Sequence, residues 1–577
     1  MKQQSRKSRN SWLVFGLVAM VSASLSLAVS PPNTLAIQWA GELATLDPQQ
    51  AFDTNGSGVL NNVYDTLVTF ERNTTKLVPM LATDWKVSSD GKTITMGLLK
   101  NVKFHSGNEF TCEDAVYTLR RLLVTNNASS TAFYLSDAML GFPYWDEALI
   151  KSTPFSAIQN AARCDANGSL VIKLAKREPV FILRLTGIWA SIIDSKAAIA
   201  AREWDGSEAT WKDWQNKDLN NSSLNKNDFG SGAYQMVSRE ADQAIFKANA
   251  GYWGEKAKIE NVIVKIGGTD AARVLAIKAG DADIIGYENS SVIKQLKGAA
   301  GVNMLQFTGT GASAIFFNQA ITKGSKFVGS GKLDGKGVPA NFFADINVRR
   351  GFAAAVDSKR IIDEILDGLG EPSTMPVPTT LPGYDASIKT IPFNLERAAQ
   401  EFRKAFNGQV WKNGFIFEAA IEPGSGAALS IMDLLKKNLE RINPKFKLKT
   451  KVMPTADLYP ALGTGLVPLT LNGNIAEIPD ALALLSFFYS SEGVFAPHTH
   501  FKDAKIDKLL AQLSQTEDLG KRAALVTQVG RRGNELLPLV TVPGTFTTHI
   551  SRSNLNGVKE NYNSFRTTRL FWNTLSK

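Results

Sequence analysis

The chain has 577 residues, 44% of them hydrophobic and 20% charged, which excludes a disordered polar chain and allows roughly three or four domain-sized units. Its net charge of +10 is spread over scattered basic residues, which excludes the clustered basic stripe of a nucleic-acid binder. Two Cys and four His leave little material for a metal cluster or a disulfide framework.

The first 28 residues stand apart. Lys2, Arg6, Lys7 and Arg9 make a positive start without an acid, and removing their four charges leaves about +6 (10 minus 4) on the remainder. The apolar run Trp12–Val29 follows and contains the small-x-small pattern Ser26-Leu27-Ala28. This layout predicts a cleavable signal peptide and a periplasmic location; an uncleaved anchor is the alternative, since the run nearly spans a bilayer. Arg6 and Arg9 are not adjacent, which speaks against a twin-arginine route, and no Cys near the cleavage region marks a lipid anchor. The next most apolar run, Phe181 to Ile193, is short and carries Arg184, so the mature chain is expected to be soluble.

Further elements follow in chain order. Thr34 to Trp39 reads as an opening strand before the turn Leu46-Asp47-Pro48, and Asn61 to Val68 has helical spacing. The turn Ser88-Ser89-Asp90-Gly91 precedes a strand over Thr93 to Leu99. Thr111 then caps a helix with acids in its first turn and Arg120 and Arg121 in its last, matching the helix dipole. Ser169 to Leu174 is another strand. Asn261 to Asp283 reads as strand then helix, ended by Gly280 and followed by the apolar Ile284-Ile285, a unit that implies a mixed or parallel sheet. Asp345 to Leu366 is predicted as one long amphipathic helix. Leu395 to Phe406, Ala428 to Arg441, Ile506 to Leu513 and Lys521 to Leu537 are further helices, and Phe446 to Met453 is a strand. Strands and helices alternate throughout, which gives an α/β class.

Catalytic motifs are weak. Gly309 to Ala314 half matches a dinucleotide loop but precedes another strand-like run, without the helix terminus that would hold a pyrophosphate. Gly329-Ser330-Gly331-Lys332 lacks the spacing of a phosphate loop, and no Gly-x-Ser-x-Gly elbow occurs. His498-Thr499-His500 would offer two nitrogens to a metal if it lay along a strand, with Asp503 a poor third; a surface loop is the plainer reading. No catalytic residue, metal or cofactor is assigned. Cys112 and Cys164, 52 positions apart, allow one disulfide worth ~4 kcal/mol in an oxidising compartment, or two buried thiols.

An ordered set of segments resembles the extracellular solute-binding proteins, family 5, which serve peptide and nickel ABC importers. Leu46-Asp47-Pro48 comes first. Next is the block from Leu77 to Trp85, with Pro79, Leu81 and Ala82, which continues through Phe104-His105-Ser106-Gly107 to Phe110-Thr111. Gly230-Ser231-Gly232-Ala233-Tyr234, Asn249 to Gly254, Gly280 to Asp283, the segment Asp345 to Asp357, Glu535 to Pro538 and Gly557 complete the set. In this reading His105 is a turn residue.

The resemblance implies a two-lobed periplasmic binding protein fold with an additional inserted domain and hinge-linked lobes. The expected parts are a signal peptide at 1–28, lobe I at 29–69, 185–307 and 541–577, an inserted domain at 70–184, and lobe II at 308–540. Hinges are expected near Gln306–Thr310 and Val540–Pro543, so that the lobes close on a ligand by bending. The Cys112–Cys164 pair would then lie inside the inserted domain. The implied role is that of a monomeric, non-enzymatic component that captures a small-molecule or peptide ligand for an inner-membrane ABC permease, with no nucleic acid involved. An envelope hydrolase and a membrane-anchored peptide receptor or chaperone are the alternatives.

The family's Trp-x-Ala-Asp-Tyr-Pro-Asp-Pro loop aligns with Asn474 to Ala481, placing Glu477 on the carboxylate that meets a ligand ammonium and Asn474 on the Trp. Leu471 falls near where some relatives carry a basic residue. These departures leave a peptide, a sugar, an opine-like compound or another amine-bearing solute open. Asp53, Thr54, Asn55, Phe133, Tyr134 and Tyr287 are the candidates from the opposing side.

Overall fold

The structure is a computed structural model that describes residues 30–51, 54–125, 130–141, 147–215, 217, 219–286, 289–423, 426–493, 495–565 and 570–577. Its largest sheet assembles strands from distant parts of the chain. Thr34–Trp39 pairs in parallel with both Asn261–Ile266 and Ile284–Gly286. Gln243–Ala248 and Tyr234–Arg239 extend one side antiparallel, and Gly544–Arg552 and Val302–Thr308 extend the other. The central strands alternate buried side chains, with Val262, Val264, Leu35 and Ile37 all below 3% exposed.

A four-stranded antiparallel sheet, Ala82–Val87, Thr93–Leu98, Leu170–Lys173 and Ala162–Cys164, lies within the region expected to be inserted. The helix Cys112–Val124 packs on it and opens with a capping box, in which Asp114 Oδ2 accepts from the Thr111 amide at 2.8 Å. Cys112 and Cys164 are joined, their Cα atoms 5.9 Å apart. This region has no separate core. Ile94, Phe104, Leu122 and Ile172 belong to the same hydrophobic cluster as Leu35, Val262 and Trp572. Arg121 pins the two together, fully buried between Asp47 and Glu203 at 2.7 Å from each.

The second lobe has a five-stranded sheet in the order Phe446–Val452, Phe415–Ile421, Leu469–Ile475, Gly311–Phe317, Leu539–Thr541. The period-two rule splits Gly311–Phe317 between two cores: Ile315 and Phe317 face one side, Ala314 and Phe316 the other. Arg349 is buried and donates to the carbonyls of Leu536 and Leu537, serving the open carboxyl end of the helix Leu519–Leu536.

The chain passes between the lobes at Gly309–Thr310 and at Val542–Pro543, between strands that end at Thr308 and Thr541 and resume at Gly311 and Gly544. The crossings run side by side, with Gly309 N donating to Thr545 O at 3.1 Å. A Cβ on Gly309 would stand 2.7 Å from that same oxygen, so only glycine allows the approach. A short strand, Gly370–Glu371, pairs with Gly544 and Thr545 and adds a third tie.

Three expectations are corrected. The early helix is Thr54–Val63 rather than Asn61–Val68, because Val68–Phe70 is drawn into a strand with Leu77–Pro79. The long helix Asp345–Leu366 is broken. Ile346–Ala355 stops at the extended Val356, and Asp357 caps a new turn by accepting from Arg360 N, a role in which its carboxylate is better used than inside a helix. His498 lies neither in a strand nor in a surface loop. It sits on the one-turn helix Ala496–Thr499, is 1% exposed, and its neighbour His500 is exposed.

Candidate functional site

In both lobes the carboxyl ends of the parallel strands lead towards the crossings, the place where α/β sheets build ligand sites. In the first lobe Trp39 and Gly286 end adjacent parallel strands. They line a cavity of about 310 Å³ with Phe546, His549, Tyr562 and Trp572. The Trp39 ring lies over two glycines: a Cβ on Gly58 or Gly286 would meet it at 2.5 or 2.9 Å. Tyr562 is held by stacking on Phe307, centroids 3.7 Å apart.

In the second lobe Phe415–Ile421 and Leu469–Ile475 meet only at Ala420 and Thr470, then diverge. The gap is a cavity of about 450 Å³ lined by Ser313, Glu422, Asn472, Asn474, Ile475 and Thr545. Ile475 is 54% exposed, high for so apolar a side chain at a cavity edge. A narrower hollow beside the crossings contains Glu371 and Tyr384 and shares Gly311, Ala312, Gly544 and Thr545 with the larger one. Across all three, the described lining includes two carboxylates and one imidazole and no Lys or Arg.

The nominated residues distribute unevenly. Asn474 lines the second-lobe cavity, its Oδ1 accepting from Ile475 N at 2.9 Å. Glu477 is half-buried in the bend beyond that strand and is not among the lining residues. Asn55 is buried, and its amide group donates to the carbonyls of Ala40 and Glu42, both at 2.8 Å, which fixes the loop after Trp39. Thr54 opens the same helix. Phe133 and Tyr134 begin the helix Phe133–Leu140, with Tyr134 stacked on Trp189 at 3.6 Å against the first-lobe core, and neither lines these cavities. Asp53 and Tyr287 lie outside the described residues. Sequence reasoning missed Trp39, His549 and Glu422. The signal for Trp39 and Glu422 was their place at strand ends, usable only once the strands are known to be parallel.

The other sequence marks hold the frame. His105 sits between Asp228 Oδ1 at 2.8 Å and the Gly232 carbonyl at 2.9 Å, so both ring nitrogens face acceptors. Burial opposes its charge, but the hydrogen bond and charge of Asp228 outweigh that and hold its pKa above the ordinary value. Asp65 accepts from Ser231, Tyr252 and Trp253, and Asp283 accepts from Ala36 N, Ser30 and Lys577.

This architecture, two sheets joined by paired crossings with cavities at their strand ends, is that of a two-lobed binding protein. The sequence profile of the bacterial extracellular solute-binding proteins, family 5 (middle region) matches residues 76–496, and the chain belongs to that family. It is 26% identical over 514 residues to di/tripeptide-binding protein 1 of Pseudomonas aeruginosa, covering 87% of each chain. Among solved structures it is similar to HbpA2 from Haemophilus parasuis, with TM-score 0.73, 21% identity, and 94% of this chain and 99% of that one covered. It also resembles the periplasmic binding protein DppA from Helicobacter pylori in complex with peptide STSA, with TM-score 0.67, 20% identity, and coverage of 94% and 98%.

Proposed function

We propose that this protein is the periplasmic substrate-binding component of an ABC importer. It captures a peptide or similar small amine-bearing solute between its lobes and delivers it to a membrane permease, working as a monomer and not as an enzyme. The observation that carries this reading is the pair of cavities at the strand ends of both sheets, meeting at a double crossing. Bending there buries a ligand without disturbing either core. The P. aeruginosa relative is a di/tripeptide binder by name, which favours a peptide. No helix among the described residues is long and apolar enough to cross a membrane; the run Trp12–Val29, on which the anchored alternative rests, lies outside them. We assign 29–69, 185–307 and 541–577 to the first lobe, 70–184 to the insertion and 308–540 to the second lobe, with the strands Val302–Thr308 and Leu539–Thr541 each running one residue past these bounds.

The test is small-angle scattering of the purified mature protein with a defined mixture of di- and tripeptides, followed by mass spectrometry of the mixture. Compaction with the peptides intact supports the reading. Cleaved peptides, or an unchanged radius of gyration, overturn it.

A further inference from the structure

Glu422 is the one ionisable side chain lining the second-lobe cavity among the described residues. It follows directly on the strand Phe415–Ile421 and is half-buried. A single neutral donor meets it among the described residues: Thr455 Oγ1 donates to Oε1 at 3.2 Å. Three other acids of this lobe illustrate the usual match with a cation. Asp385 pairs with Arg531 at 2.7 Å, Asp503 with Arg532 at 2.9 Å, and Asp480 with Arg522. No described Lys or Arg pairs with Glu422. Glu422 shares the cavity wall with the apolar Ile475, and no counter-charge among the described residues faces it there.

The surrounding groups do not supply that charge. Asn472 is committed at both ends, its Oδ1 accepting from Gly473 N at 2.7 Å and its Nδ2 donating to Tyr459 at 3.3 Å. Asn474 Oδ1 is likewise held by Ile475 N, and Ser313 is neutral. Thr545, from the first lobe, completes the wall, so closure brings the opposing face over this carboxylate.

We propose that Glu422, rather than Glu477, receives a cationic group of the ligand. The proposal rests on reading the interlobe cleft as the ligand site. The aromatic walls of the first-lobe cavity, Trp39, Phe546, Tyr562 and Trp572, then take the ligand's apolar body.

The experiment separates charge from peptide character. Calorimetric titrations use the dipeptide Phe-Ala as its amide, which is cationic, and as its N-acetyl derivative, which is anionic. Tyramine and 3-(4-hydroxyphenyl)propionate form a second pair with no peptide bond. Wild type is expected to prefer the cation of a pair it binds, and Glu422→Gln to weaken that cation by roughly ten- to a hundredfold, the scale of a charge-assisted hydrogen bond. Glu477→Gln is expected to change it less than threefold, about the margin at which a charge contact is absent. An unchanged melting temperature of each unliganded variant verifies folding. Loss of tyramine preference without any peptide binding would remove the peptide reading and keep Glu422. Peptide binding with equal affinity in wild type and Glu422→Gln would keep the peptide reading and remove Glu422. Loss in Glu477→Gln instead, or no cation preference in either pair, overturns the proposal.

Discussion

His498 should make the second lobe acid-sensitive. It is 1% exposed, and both ring nitrogens are buried without a hydrogen-bond partner among the described residues. Burial, helped by the nearby His500, lowers its pKa to about 3. The unfolded chain returns it to about 6.5, so between these values the unfolded state binds the proton more tightly. Its folded pKa is depressed, so the stabilisation is present above pH 6.5 and is lost as pH falls towards 3. Between pH 7.5 and 4.5 the loss from this group comes to about 3 kcal/mol, from a slope of about 1.4 kcal/mol per pH unit. His498→Met keeps the volume and removes the titration. Urea unfolding of both proteins at both pH values isolates the effect, because other groups cancel in the difference between differences. The wild type should lose about 3 kcal/mol more than the variant. Equal losses in the two proteins would refute the assignment of a neutral, desolvated imidazole.

His105 should act with the opposite sign: its pKa is raised, so its contribution is complete below about pH 6.5 and disappears as pH rises through the folded value. His105→Gln should flatten the alkaline side of the stability profile and cost about 1–3 kcal/mol near pH 6, measured by urea unfolding, by leaving half-buried Asp228 without its cation and with only the Gly230 and Met236 amides. Replacing Cys112 and Cys164 by Ser should lower stability by about 4 kcal/mol for a loop of 52 positions, and alkylation of the native protein without reductant should label neither thiol. The loss should appear in the first-lobe transition, since the two regions share one core. Gly309→Ala should push Thr545 away from the crossing and reduce ligand-induced compaction in scattering, with the two lobes' own unfolding changed by less than about 1 kcal/mol. Unaltered compaction would show that the crossings tolerate separation.

The sequence disclosed what local chemistry determines. Thr34–Trp39 has the predicted bounds, the Thr111 helix carries its capping box, and Gly280 ends its helix at φ +91°. The recognisable motifs turned out to be clasps of the frame. The Phe-His-x-Gly turn and the Gly230 to Tyr234 segment meet through His105, whose backbone N also reaches Gly230 O at 2.9 Å. The cleft was less legible. Glu422, Asn472 and Ser313 become neighbours only through the pairing direction and register of three strands, and apolar pattern alone does not specify either. The broken helix at Asp357 was hidden because its apolar spacing continues across the break, while the decisive event is a single side-chain cap. His498 misled for the opposite reason: polarity suggests the surface, yet its ring packs edge-on against Phe495 in the core.

The central place of Gly544–Arg552 in the largest sheet sets an order of events during synthesis. Thr34–Trp39 emerges early, but the sheet stays divided until Gly544–Arg552 arrives to bridge Ile284–Gly286 and Val302–Thr308. Even then the first strand is sealed only when Lys577 reaches Ser30, across 547 positions, and the buried Asp283 beside it. The second lobe has no such dependence apart from Leu539–Thr541 at its sheet edge. A nascent chain therefore forms its later-made half while its earlier-made half is still open. Contacts of such long range close slowly, and the first-lobe sheet is completed only when almost the whole chain is available.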